Sequence, residues 1–205
     1  MLYRTTDGII ASFSRWSHAA GKISVPGDLC YDGSRQEHRE KPAEVTVLDI
    51  TYITGQEKFN YRVCVVIIRD GRILAMHDER SPYYYLPGGR VQMGETAEHA
   101  VVREVEEELE VTPEIIRPLW LNQSFFTEDV DHLRYHEICI YYLTGISGTG
   151  LEEKGEAFTL YEGRHTHRFE WLPFERLKDE YFYPGFLKTA VYELPEHFTI
   201  RSEYE

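Results

Sequence analysis

The stretch Tyr61 to Arg69, YRVCVVIIR, constrains the fold more than any other segment of the chain. It is a near-continuous apolar run dense in β-branched residues, the pattern of a buried strand. Asp70-Gly71 follows, a pair suited to a two-residue hairpin turn, so Arg72 to His77 is expected as the partner strand. Val45 to Ile53 is β-rich, and Tyr84 to Pro87 is a short extended piece ending at Gly88-Gly89. Glu114 to Phe126 and Leu133 to Leu143 read as two further strands, joined by an acidic turn around Glu128 to Asp131. Ser147 to Glu156 reads as a Gly-rich loop and His165 to Leu172 as the last strand, with short helical pieces after Pro173 and Pro184. Thr96 to Glu110 is the one long helix, with Thr96 placed as N-cap and Pro113 beyond its end. A helix set inside a run of strands predicts an α+β or α/β domain with a mixed sheet.

Charge limits the partners. The chain carries a formal net charge of -13, which repels nucleic-acid polymers, whose binding needs clustered Lys and Arg. It also repels small phosphate anions unless a cation intervenes. The longest apolar run, Val63 to Ile68, is far short of a membrane span, so no membrane partner is expected. No apolar h-region follows Met1, so no secretory signal is expected either. The 3 cysteines include no C-x-x-C pair, which points to neither a disulfide framework nor a cysteine zinc site and makes a reducing cytoplasm the default. Residues 1–43 hold six Lys/Arg and five Asp/Glu with little periodicity. They are expected to be a loosely folded N-terminal extension ending at Lys41-Pro42, before a domain over 44–205. Two short elements docked on the domain, or a translated upstream stretch, are the alternatives.

The helix holds the chemistry. At about 100° per residue, Glu104, Glu107 and Glu108 share one face, beside an apolar stripe of Val101, Val102, Val105 and Leu109. Glu106 and Glu110 fall behind, as solvated residues. Three crowded carboxylates repel one another, and partial burial raises that cost or forces a proton onto one of them. A divalent cation reverses the sign, and carboxylates without Cys or His suit hard ions such as magnesium or manganese. A plain solvated acidic helix is the alternative on these residues alone. Just upstream, Gly88-Gly89 is a place where backbone can approach a ligand closely.

The segment from Gly89 to Val111, GRVQMGETAEHAVVREVEEELEV, resembles the Nudix hydrolase family. The family box is G-x5-E-x7-R-E-U-x-E-E-x-G-U, with U a bulky aliphatic residue. Gly89, Glu95, Arg103, Glu104, Val105, Glu107, Glu108 and Val111 match at the right spacing, and Glu110 stands where the box has its late glycine. That glycine would end the helix in a left-handed cap, so Glu110 is expected to affect stability or the helix boundary rather than metal binding.

The resemblance implies an α/β/α sandwich and magnesium-dependent hydrolysis, with manganese as substitute, of a nucleoside diphosphate linked to another group. It makes Glu104, Glu107 and Glu108 metal ligands, with the Gly88 or Gly89 carbonyl as a further oxygen. Arg103 would orient a carboxylate, and Glu95 would brace the loop or act through water. A further loop carboxylate, as ligand or general base, is also implied; Glu162 is the candidate, and Glu152 and Glu156 compete. The implied partner is a small nucleotide-type substrate, with a homodimer as a further option. Arg62, Arg80 and Arg134 are candidates for phosphate contact, with a surface place as the default. Tyr83 and Tyr85 share a strand face away from Tyr84; either could stack on a nucleobase, and core or rim packing is the plainer reading. His165 and His167 share a strand face, with a structural role the plainer reading against binding of phosphate or metal. Cys64 and Cys139 fall in apolar strands as core residues. Besides the hydrolase, a non-catalytic nucleotide or sugar-nucleotide sensor on the same fold is the alternative function.

Overall fold

A computed structural model describes residues 47–79 and 81–204. The expected extension over 1–43, and Arg80, lie outside the described residues. Along the chain run β1 (Thr51–Thr54), β2 (Glu57–Val66), β3 (Ile68–Arg69), β4 (Arg72–Asp78), α1 (Ala97–Leu109), β5 (Glu114–Thr127) and β6 (Arg134–Gly145). They are followed by β7 (Ala157–Glu162), β8 (His165–Pro173), α2 (Phe174–Leu177), α3 (Leu187–Ala190) and β9 (Thr199–Tyr204). One sheet has the order β1-β2-β6-β5-β9 and is mixed, because β2 runs parallel to β6 and β5 parallel to β9. The other, β3-β4-β8-β7, is antiparallel.

β2 shows why the fold is layered. Val63 and Val65 pack into one core cluster with Val101, Val105 and Leu109 of α1. Cys64 and Val66 pack into a second, with Leu177 at the end of α2 and Phe186, Leu187 and Val191 at α3. Successive side chains of a strand point to opposite faces, so an unbroken apolar run needs cover on both. β4 repeats the pattern, sending Leu74 and Met76 to the first cluster and Ile73 and Ala75 to the second. Helical layers on the two faces make the α/β/α sandwich with a mixed sheet. The hairpin between β3 and β4 turns at Asp70 and Gly71, both with positive φ (49° and 70°), as its two-residue length requires.

α1 keeps its expected limits. The Thr96 hydroxyl caps it by accepting from the His99 N–H at 3.3 Å. Glu110 ends it in the left-handed conformation, φ 60° and ψ 27°, and its N–H donates to the Glu106 carbonyl at 3.2 Å. The cap therefore forms without the glycine that normally makes it inexpensive.

Three expectations need correction. β8 is not the last strand: β9, TIRSEY, adds a parallel edge to β5. Its apolar Ile200 and Tyr204 are exposed, so no core-facing alternation marks it, and long-range contacts place it instead. The Phe186 N–H donates to Glu203 at 3.1 Å and the Asn122 amide to the same carboxylate at 3.2 Å. β7 was also unexpected; it joins β8 through a tight turn in which Gly163 has φ 58°. The stretch read as a Gly-rich loop contains a 3-10 turn, Leu151–Lys154, because Leu151 is buried in the first core cluster.

Candidate active site

The site is built where the segment leading into α1 runs beside β2. Val65 N–H donates to the Pro87 carbonyl at 2.9 Å, Val63 N–H to the Gly89 carbonyl at 2.9 Å, and Val91 N–H to the Tyr61 carbonyl at 3.0 Å. Gly88 is thereby pressed onto the strand, with φ 139°, and a Cβ on it would stand 2.2 Å from the Val63 carbonyl oxygen. Its N–H donates to Glu108 at 2.8 Å. A Cβ on Gly89 would lie 2.2 Å from a carboxylate oxygen of Glu104. The two glycines are where backbone and helix carboxylates come closest.

The three glutamates of the shared face differ in environment. Glu108 is 6% exposed, while the side chains of Glu104 and Glu107 are 13% and 45% exposed. Burial pushes the Glu108 carboxyl well above the ordinary carboxylate range, and the Glu104 charge adds to the effect. Burial also raises Glu104, against the pull of Arg103. Arg103 is the cation of the cluster. It donates to both carboxylate oxygens of Glu95 (2.9 and 3.0 Å), to Glu104 (2.7 Å), to Glu107 (3.1 Å) and to the Arg90 carbonyl (2.9 Å). Those hydrogen bonds, led by the one to Glu95, hold the guanidinium more firmly protonated. They also hold Glu95 below the ordinary range. Glu95 accepts from the Gln92 N–H at 3.0 Å as well, which ties the loop to the helix start.

These residues fit a hard divalent cation on two observations. The donors are all oxygens, and Glu104 and Glu108 are neighbouring desolvated carboxyls whose charged forms are disfavoured without added positive charge. Among the described residues, no group of three or more His, Cys, Asp or Glu is set at metal-ligand spacing. Arg103 pairs with Glu104 and Glu107 and gives both a countercharge. Of the two carbonyls, that of Gly88 accepts from Arg62 at 3.0 Å and that of Gly89 from Val63.

A cleft of about 780 Å³ opens over the glutamates. Arg62, Tyr83, Tyr85 and Glu162 all line it. Arg62 reaches it beneath the glycine loop, and its Nε, buried, has no hydrogen-bond partner among the described residues. Tyr83 donates to Glu128 at 2.8 Å and meets Tyr85, Tyr181 and Tyr183 edge to face. Tyr84 points the other way, to His77 and Glu170. Glu162 lies 3.0 Å from Nε2 of the buried His167. Glu152 and Glu156 line a separate depression with Arg69 and Arg72, and Arg134 pairs with Glu57 at the surface. His165 is exposed, so it does not share the cleft wall with His167.

The structure adds residues that sequence spacing did not single out. Asn60 and Glu137, hydrogen-bonded at 3.3 Å, line the cleft from paired positions on β2 and β6. Glu128 and Asp129 stand on its rim in the turn between β5 and β6, and Glu203 enters from β9. The acidity of that turn was visible in the sequence; that it overlooks the cleft was not.

A family model described as NUDIX domain matches residues 58–190. The ADP-ribose pyrophosphatase of Methanocaldococcus jannaschii is 35% identical over 95 residues, which cover 45% of this chain and 54% of that protein. The putative nudix hydrolase 1 of Caenorhabditis elegans is 34% identical over 77 residues, covering 34% of this chain and 21% of that protein. The matched part thus spans about half of the first relative and a fifth of the second. Among solved structures, a MutT NUDIX hydrolase from Burkholderia pseudomallei is similar at 26% identity with a TM-score of 0.42, covering 57% of this chain and 84% of that one. Among the described residues, no helix is long and apolar enough to cross a membrane.

Proposed function

The chain belongs to the Nudix family, and from that membership we propose that it is a divalent-metal-dependent pyrophosphohydrolase acting on a nucleoside diphosphate linked to another group. The observation that carries this reading is the buried Glu108 carboxyl with the partly buried Glu104 carboxyl beside it, set against Gly88 and Gly89 in a cleft large enough for a nucleotide. The similarity to an ADP-ribose pyrophosphatase supports the same reading of the substrate.

A bound magnesium or manganese ion supplies positive charge to the diphosphate oxygens and acidifies water. Glu104, Glu107 and Glu108 would hold it. The Gly88 N–H keeps the Glu108 side chain aimed at the loop, and Arg103 sets Glu104 while Glu95 anchors Arg103. Arg62, which lines the cleft, would contact substrate phosphate. Glu162 would take the proton of the attacking water at its carboxylate, held in place by His167 Nε2. Tyr83 and Tyr85 would flank the substrate from the cleft wall.

The test is release of nucleotide or phosphate from a panel of nucleoside triphosphates, dinucleotides and nucleotide sugars with magnesium. Turnover of at least one class, abolished by EDTA, is expected. Tight binding across the panel without turnover, with manganese as well, would replace the hydrolase with a ligand sensor.

A further inference from the structure

We infer that the free thiols of Cys64 and Cys139 form a binding site for a soft monovalent cation, of the class of Cu(I), at the back of the cleft.

Register brings the two thiols together. In the parallel pairing of β2 with β6, Cys139 stands opposite Arg62, and Cys64 stands opposite Tyr141. The two cysteines therefore share one face of the sheet, a diagonal step apart. Their side chains meet there. The Cys139 thiol donates to the Cys64 sulfur, and the Tyr141 hydroxyl donates to Cys139. Both cysteines are buried, but Cys64 lines the cleft while Cys139 does not, so the pair has one way in.

The spacing favours an ion over a bond between the sulfurs. At the strand separation and rise of a parallel sheet, diagonal Cα atoms stand about 8 Å apart. A disulfide bridges Cα atoms only within roughly 7 Å. An ion held about 2.3 Å from each sulfur, as in zinc thiolates, fits between hydrogen-bonded thiols without moving the strands. Soft thiolates select soft ions.

Ligand count and charge then choose among those ions. Among the described residues, no group of three or more His, Cys, Asp or Glu is placed to hold a metal, so the pair offers two sulfurs where zinc takes four ligands. Binding releases the thiol protons. Two thiolates around a monovalent ion carry one negative charge. The buried Arg62 guanidinium, which acts on both thiols through its charge, offsets it. A divalent ion would leave that guanidinium as an uncompensated buried cation, which is costly. The Arg62 Nε is buried without a hydrogen-bond partner among the described residues, and a thiolate beside it would be a charged acceptor. A plain apolar pair of core thiols has no need of such a neighbour.

The test uses the full chain with Cys30→Ser, which removes the third cysteine. It is titrated anaerobically with Cu(I) against a chromophoric chelator, and the loaded protein is measured by X-ray absorption at the copper edge. One ion per chain with two sulfur neighbours is expected. Cys64→Ser and Cys139→Ser should each weaken binding by at least about 100-fold, the upper end of what losing a supporting hydrogen bond costs a metal site. Should Cys139→Ser fail to fold, Cys64→Ser on the cleft wall and the sulfur count decide. Two ions per chain, nitrogen or oxygen neighbours, full affinity in either folded variant, or no binding at all overturns the inference. Displacement of the copper by equimolar zinc overturns the assignment to a monovalent ion. Closure of the pair into a disulfide with peroxide, read as a mass loss of two hydrogens, contradicts the spacing on which the site rests. None of these outcomes bears on the hydrolase reading.

Discussion

At the residue scale, the glutamates of α1 divide by what surrounds them. Glu107→Gln or Glu108→Gln is expected to lower turnover by roughly 100-fold or more with the fold kept. Glu106 is exposed and its carboxylate accepts from the Thr112 hydroxyl at 2.7 Å, so Glu106→Gln should leave kcat within about twofold. Steady-state rates at saturating magnesium check both, and equal rates in all the proteins would remove the site assignment. Glu108 also gives a pH signature. Burial raises its pKa above that of the unfolded chain. The metal-free fold therefore gains stability from Glu108 while it is protonated, and loses that gain as pH rises through the ordinary carboxylate range and on through the raised value. Glutamine stays neutral throughout. In EDTA, the Tm of Glu108→Gln relative to wild type should rise as pH increases above the ordinary carboxylate range; a difference independent of pH would contradict it.

At the element scale, the two glycines before α1 predict opposite outcomes. An alanine Cβ at Gly88 meets fixed backbone, 2.2 Å from the Val63 carbonyl and 2.7 Å from the Cys64 Cα, at a φ of 139°. Gly88→Ala should cost at least about 2 kcal/mol of stability. The same substitution at Gly89 meets only the end of the Glu104 side chain, which can swing aside. Gly89→Ala should keep most of its stability and lose magnesium affinity. Urea denaturation and calorimetric titration separate the two effects. At the other end of the helix, Glu110 holds a left-handed cap without glycine's freedom. Glu110→Gly is expected to stabilise the domain by about 1 kcal/mol, read from the urea midpoint at unchanged slope; destabilisation would mean that the Glu110 side chain makes a compensating contact.

At the scale of the whole described unit, the last strand joins the sheet edge to the cleft. Glu203 accepts from the Phe186 N–H and from Asn122, whose side chain is fully buried, and it lines the cleft as well. Removing that carboxylate takes the acceptor from the Phe186 N–H and leaves the Asn122 amide with Ser124. Glu203→Ala should lower stability by roughly 1–3 kcal/mol, seen in thermal or urea unfolding. A change under about 0.5 kcal/mol would show that β9 is held by its backbone ladder alone.

The sequence by itself determined the local features. An unbroken apolar strand requires cover on both faces, Asp70-Gly71 makes a hairpin, and the spacing of Glu104, Glu107 and Glu108 sets them beside a buried stripe, because helix and strand periods are properties of the local backbone. The family box was legible for the same reason, since its residues are neighbours in one loop and one helix. Tertiary structure decided what depends on distant pairing. It made β9 a strand by pairing a polar segment with β5, sorted Glu162 from Glu152 and Glu156 by where β7 ends, and gave Glu108 its deep burial while leaving Glu107 exposed. It also brought Glu128 and Asp129 to the cleft that the helix glutamates line. The physical reason is that desolvation and charge proximity depend on which segments meet in space, and a polar segment carries no pattern that names its partner.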